Sequence, residues 1–374
     1  GTPDQMHLEP GALVDDEGNR HFADIPVVGV SFGDGEALSA PGATAHITVT
    51  SESRTDINVI ADLPGKNRGN VVMAGAHLDS TGISPGINDN GSGAAALLET
   101  ALLMANHKPQ NSLRFAFWGA EELGLWGSSS YVLELADRHP DELARIALYL
   151  NYDMVASPNY VFGIRDGDGS TAPPPEGFVL PPGSAAIEKV YEDYFTRVGI
   201  PFTAAPLDGR SDYLGFLASG IPAGGLFTGA EMIKTEEEAA IWGGQAGQPY
   251  DACYHQPCDT RGNINRRALA VNSDAMAYAN LSFAYSTEAV NHVRGAKIPG
   301  NEKLPMPDGR DGHKKPGKKH HDKSYKKHDK ERERMRKRHE AARTKVEAQF
   351  GRLRIPGKVA DNRPGHRAAP RAIS

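Results

Sequence analysis

The 374-residue sequence has only two cysteines, Cys253 and Cys258, and no apolar run approaching the length of a membrane helix. A helical span needs about 18 or more consecutive apolar residues, so a soluble chain without a membrane partner is expected. A structural zinc site usually takes four close ligands, and there is no second cysteine pair to complete one. The two thiols stand five apart in CYHQPC. Three readings stay open for them: free thiols, half a metal site, or a small disulfide loop. The last implies an oxidising compartment. Internal repeats are absent too. The chain starts at Gly1 rather than Met, with no charged-then-apolar leader, as expected either after removal of a signal segment or for a fragment.

What is present is enough for a core. Hydrophobic residues make up 39% of the chain, an ordinary share for a globular protein, and the length suits one large domain with appendages or two ordinary ones. The net charge of -6 conceals a division. Residues 301–374 carry 23 Lys+Arg against 10 Asp+Glu, leaving 18 against 37 for residues 1–300. The body is acidic and the tail basic, so they are read separately.

Residues 1–50 are rich in Gly, Pro, Asp and Glu, with an expected strand in IPVVGVSF and a β-like stretch in AHITVT. From Asp56 the pattern changes. INVIADL, NVVMAGAHL, LRFAFWGAEE and IALYLNYDMV read as strands. GAAALLETALLMANH, GLWGSSSYVLELADRH, AAIEKVYEDYFTRVG and NSDAMAYANLSFAYSTEAV read as helices. This alternation predicts an α/β fold, a mostly parallel mixed sheet sandwiched by helices. Residues 166–183 and 229–250 are Gly/Pro-rich and are expected to be surface loops. Residues 293–374 form a basic tail too poor in large apolar side chains to order itself, apart from a charged helix expected over 329–350.

Open α/β sheets bind ligands at the carboxyl ends of their strands, and that is where the ionisable residues collect. NVVMAGA runs into His77 and Asp79, and the next loop presents Asp89 before a Gly-rich helix start. LRFAFWGA runs into Glu121 and Glu122, IALYLNY runs into Asp153, and His255 lies between the cysteines. Singly, each has an ordinary explanation: a core or surface histidine, an Asp-Asn-Gly turn, a solvated acid pair. Together they make a cluster of carboxylates that would repel unless cations joined it.

AHLDS, NDNGSGAAALLE, FAFWGAEELGLWGS, NYDM, GRSDY and CYHQPCD, in that order, resemble the bacterial secreted dizinc aminopeptidases of metallopeptidase clan MH, over roughly residues 56–290. The resemblance implies the zinc exopeptidase fold over 51–292 and two co-catalytic Zn2+. It places His77 and Asp153 on one ion, Glu122 and His255 on the other, and Asp89 as the bridge. It also implies Asp79 as the orienting partner of His77, Glu121 as general base, Tyr254 as oxyanion donor and Arg210 as a residue lining the substrate site. Cys253 and Cys258 would form a disulfide clamping the loop between them. The expected substrates are peptides with a free amino terminus, large apolar residues preferred, met outside the cell.

Residues 1–50 resemble the closing half of a protease-associated domain, whose opening half is not visible. Asp274 alone is too little for calcium, and none is expected. The tail is expected to be a solvated extension, with nucleic acid or an anionic surface as the rival partner. Two other functions remain open: a carboxypeptidase or other amidohydrolase on the same scaffold, and a non-catalytic metal-binding interaction protein. Carboxylates near the metals suit a free ammonium, whereas a carboxypeptidase would want an arginine cluster, of which the sequence shows only Arg210.

Overall fold

The computed structural model describes residues 12–14, 20–22, 30, 32–46, 55–175 and 178–299. Two units are described separately. In the amino-terminal one, β1 (Ala12–Val14) pairs antiparallel with β2 (Arg20–Phe22), and α1 spans Phe32–Leu38. Phe32, expected to end a strand, instead opens that helix; residues 25–29 and 31 lie outside the described residues. So do most of AHITVT and all of 300–374, including the expected helix.

The second unit holds a seven-stranded sheet. Its strands are β3 (Val59–Leu63), β4 (Asn67–His77), β5 (Asn111–Trp118), β6 (Ile146–Tyr152), β7 (Gly163–Arg165), β8 (Thr203–Ala205) and β9 (Ala223–Phe227), in the order β3-β5-β4-β6-β9-β7-β8. The four strands β5, β4, β6 and β9 run parallel, as do β7 and β8. The pairs β3–β5 and β9–β7 are antiparallel. The sheet is therefore mixed, with reversals toward its edges.

Burial on both faces explains the near-continuous apolar runs: all seven residues of β6 are buried. Alternate side chains feed two cores. Val72, Ala74, Leu148 and Leu150 pack on one face against α2 (Gly91–Met104), α5 (Gly183–Val198) and α8 (Arg266–Tyr285). Met73 and Tyr149 pack on the other against α3 (Trp126–Arg138) and α6 (Tyr213–Ala218). Gly75 separates these neighbours. A Cβ there would collide with the Tyr149 hydroxyl and Trp118 Nε1, which are themselves hydrogen-bonded at 2.8 Å, so only glycine fits.

The short helices α4 (Pro140–Leu143), α7 (Glu236–Trp242) and α9 (Glu288–Asn291) complete the unit. The helix α7 corrects the expectation of loop throughout 229–250. Thr235 and Glu238 form a reciprocal capping box, with hydrogen bonds of 3.1 and 2.8 Å, and acids fill the first turn. Those local bonds outweigh the Gly/Pro content around them. The closing helix is likewise longer at its start, opening at Arg266, and it breaks at Ser286 before α9. Among the described residues no helix is long and apolar enough to cross a membrane.

Candidate metal centre

The parallel strands end together, and their carboxyl ends bring the expected residues to one place. His77 is the last residue of β4; Asp153 follows β6; Glu121 and Glu122 lie three and four residues after β5. Asp89 sits one residue before the cap of α2, where the Asn90 side chain accepts from Gly93 N. His77 Nε2 stands 3.2 Å from Asp89 Oδ1 and 3.3 Å from Asp153 Oδ1. His255 Nε2 stands 3.2 Å from Asp89 Oδ2 and 2.9 Å from Glu122 Oε2. Two ligand groups result, His77–Asp89–Asp153 and Asp89–Glu122–His255, and Asp89 belongs to both, one oxygen to each.

The surroundings anchor these groups through hydrogen bonds. Asp79 accepts the backbone N–H of Glu121 on one carboxylate oxygen and of Glu122 on the other, each at 3.0 Å. Its Oδ1 also stands 3.5 Å from His77 Nδ1, and its backbone oxygen stands closer, at 3.1 Å. Asp79 thus fixes the acid pair as well as the imidazole. Ala120, Met154 and His255 adopt left-handed backbone, with φ of 54°, 51° and 58°. Non-glycine residues seldom do so unless the surrounding structure forces them, and all three are at or next to these acids and this histidine.

Cys253 is bonded to Cys258, with Cα atoms 5.2 Å apart. The Tyr254 ring stacks on that of His255, centroids 3.8 Å apart, and its hydroxyl lies 3.4 Å from Arg210 NH2. Arg210 is ion-paired to Glu231 at 2.7 Å. Tyr254 and Arg210 border the same cleft as Glu121, Glu122 and Asp153, which opens to solvent.

The electrostatics are those of a site built for cations. Burial would lower the pKa of His77, but the carboxylates of Asp153 and Glu121 outweigh it and hold it well above its ordinary value. Burial likewise opposes His255, yet Asp89 and Glu122 push it up to about 9. Without a metal, protons on the imidazoles do the neutralising. Burial raises Glu121 well above the usual carboxylate range; His77 opposes, and Asp153 and Asp212 add to the rise. Burial and the nearby Asp89 carboxylate push the Tyr254 phenol far upward, so it stays protonated. Glu122 Oε1 is buried without a hydrogen-bond partner, and His255 Nε2, although 2.9 Å from Glu122 Oε2, makes no well-aligned hydrogen bond to it. A buried acceptor left unpaired is costly, and a cation between Glu122 and His255 removes the cost, so these residues fit a metal. The nitrogen and oxygen donor set suits a divalent transition ion.

Sequence reasoning missed the supports behind the ligands. Ser211 Oγ donates to Asp153 Oδ2 at 2.6 Å and is itself held by Asn151 Nδ2 at 2.8 Å; Tyr149 donates to Asn151 Oδ1 at 3.1 Å. Asp259, fully buried, accepts the backbone N–H groups of Asn88 and Asp89 at 2.9 and 3.0 Å, tying the loop of Asp89 to the disulfide loop. Ser211 and Asp259 lie within GRSDY and CYHQPCD, so position in a motif was the only signal for them.

Residues 58–280 match the profile of Peptidase family M28, which covers more than half of the chain. The chain belongs to Peptidase family M28. This M28 chain is 48% identical over 293 residues to a curated "Aminopeptidase" of Pseudomonas aeruginosa, a match covering 78% of the chain and 53% of that protein. It is 47% identical over 271 residues to "Probable leucine aminopeptidase 2" of Aspergillus fumigatus, covering 71% and 53%. The chain thus spans about half the length of these curated relatives. A solved structure, "BSAP, a zinc aminopeptidase from Bacillus subtilis", superposes with a TM-score of 0.52 at 26% identity, over 70% of this chain and 58% of that one.

Proposed function

We propose that this M28 chain is a metal-dependent aminopeptidase, hydrolysing the first peptide bond of peptides with a free amino terminus. The observation that carries the reading is Asp89 placed between two ligand groups, one carboxylate oxygen toward each. Two zinc ions would be held there, by His77 and Asp153 on one side, by Glu122 and His255 on the other, with Asp89 in common. When bound, such a pair lowers the pKa of a water and polarises a carbonyl.

The remaining work falls to the chain's own side chains. Glu121 takes the proton of the attacking water and returns it to the leaving amine, a task that suits a carboxylate whose pKa burial has raised. Tyr254 keeps its proton and donates a hydrogen bond to the carbonyl oxygen as negative charge develops there. Asp79 holds the Glu121–Glu122 backbone in register with His77. The carboxylates bordering the cleft suit a substrate ammonium, and Met154, Phe227 and Met232 give its wall the apolar character that a large N-terminal side chain needs. The relatives named as leucine aminopeptidases agree with this choice.

A secreted protein is part of the same reading, since a disulfide persists in oxidising surroundings. Elemental analysis alongside hydrolysis of leucyl anilide and its N-acetylated form tests the whole. About two zinc per chain, with turnover of the free amine alone, is expected. Equal hydrolysis of the blocked compound refutes the aminopeptidase reading, and bound metal with no hydrolysis of either favours a binding protein.

A further inference from the structure

The cleft contains a buried cation that the proposed reaction does not use. Arg165 ends β7 and is 4% exposed, yet it borders the same cleft as the metal-side carboxylates. Its guanidinium lies over the Phe227 ring, 4.3 Å from the centroid, and 5.2 Å from that of Tyr213. NH1 donates to the carbonyl oxygen of Pro206 at 2.7 Å, while Nε is buried with no partner. Arg114, Arg138 and Arg210 each have a carboxylate; Arg165 has none among the described residues.

The other charges nearby are already engaged. Arg210 is neutralised by Glu231. Asp208, also on the cleft, accepts from the Tyr213 hydroxyl at 2.7 Å and from Arg210 N at 3.2 Å. The four acids at the metal end face two dications in the reading above. A guanidinium taken out of water wants an anionic, hydrogen-bonding partner, and stacking on aromatic rings meets only part of that demand. Phe227, Met154 and Met232 line the approach with apolar surface.

We propose that Arg165 makes this subsite accept an N-terminal side chain with an apolar stem and a terminal carboxylate, that is, glutamate, the stem lying along Met154 and Phe227. The inference rests on the aminopeptidase reading and narrows its substrate class: large side chains are taken, and among them those ending in a carboxylate gain a partner that leucine and methionine lack. Lysine, bringing a like charge, is disfavoured. The same chemistry would also suit the terminal carboxylate of a peptide bound in the opposite sense, so the test separates the two.

Steady-state kinetics on the full zinc-loaded chain, with glutamyl, methionyl and lysyl anilides, provides it. The glutamyl compound should match or exceed the methionyl one in kcat/KM, and the lysyl compound should trail both. In R165M the glutamyl-to-methionyl ratio should fall about tenfold or more, a ratio indifferent to the fraction of active enzyme. R165K, which keeps the charge, should fall between. Methionyl hydrolysis with a glutamyl rate more than tenfold lower in the unmutated chain overturns the inference and leaves the aminopeptidase reading intact, as does an unchanged ratio in R165M. Cleavage of an N-acetylated peptide at its free carboxyl end assigns the carboxylate to the chain terminus and overturns both. No hydrolysis of any anilide does the same.

Discussion

Glu121 and Glu122 are consecutive, share the same carboxylate anchor in Asp79, and face different tasks. Glu122 lies 2.9 Å from His255 within a ligand group, whereas Glu121 belongs to neither group. Replacing Glu121 with Gln preserves shape and removes the proposed base, so kcat should fall by roughly 10²–10⁴ while zinc content by elemental analysis stays the same. A loss of metal would move Glu121 into the ligand set instead. Ser211 makes the complementary case. Its hydroxyl is one hydrogen bond from Asp153 and does not line the cleft, and such supports are typically worth about 10–100-fold in metal affinity. Ser211→Ala should weaken zinc binding by that factor in a chelator competition, with kcat largely restored at saturating zinc.

At the scale of elements, the loop after β7 and the helix α5 put Asp166, Asp168 and Glu188 close together. Asp166 is spoken for, accepting the backbone N–H groups of Gly169, Thr171 and Ala172, so the trio organises a loop. Glu188 accepts from Gly167 N at 2.9 Å. Burial, helped by the two aspartates and opposed by that hydrogen bond, pushes its pKa up to about 7 from an ordinary 4.5. A carboxyl raised in the folded state binds its proton more tightly there than when unfolded. Its contribution is therefore fully present below about pH 4.5 and is lost as pH rises through 7. Glu188→Gln keeps the acceptor and discards the charge. It should raise Tm relative to the unmutated chain at pH 8 and show little difference at pH 4.5, measured by thermal melts across that range.

For the molecule as a whole, the five candidate ligands come from segments spread between residues 77 and 255, and with metal absent their carboxylates rely on protonated histidines for neutralisation. Zinc that binds only the folded arrangement stabilises it by about 4 kcal/mol at a thousandfold excess over Kd, which is roughly 10 °C for a domain of this size at 2–4 °C per kcal/mol. Chelation should lower Tm by that order, and re-addition of zinc should restore it; a melting curve indifferent to chelator would contradict the site. The sequence by itself determined the central strands, the helices between them and the acids and histidines at the strand ends, because apolar period and helix caps are encoded within a dozen residues. It also determined α7, through Thr235 and Glu238, although Gly/Pro content hid it. Only the tertiary structure decided the reversals toward the sheet edges, where three-residue β7 and β8 are too short to show a period and β9 reads AGGLF. It alone decided that Ser211 supports Asp153, that Asp259 ties two loops together, and that Arg165 turns inward over Phe227. Each of those contacts joins residues more than fifty positions apart, and local sequence carries no record of which distant group will stand opposite.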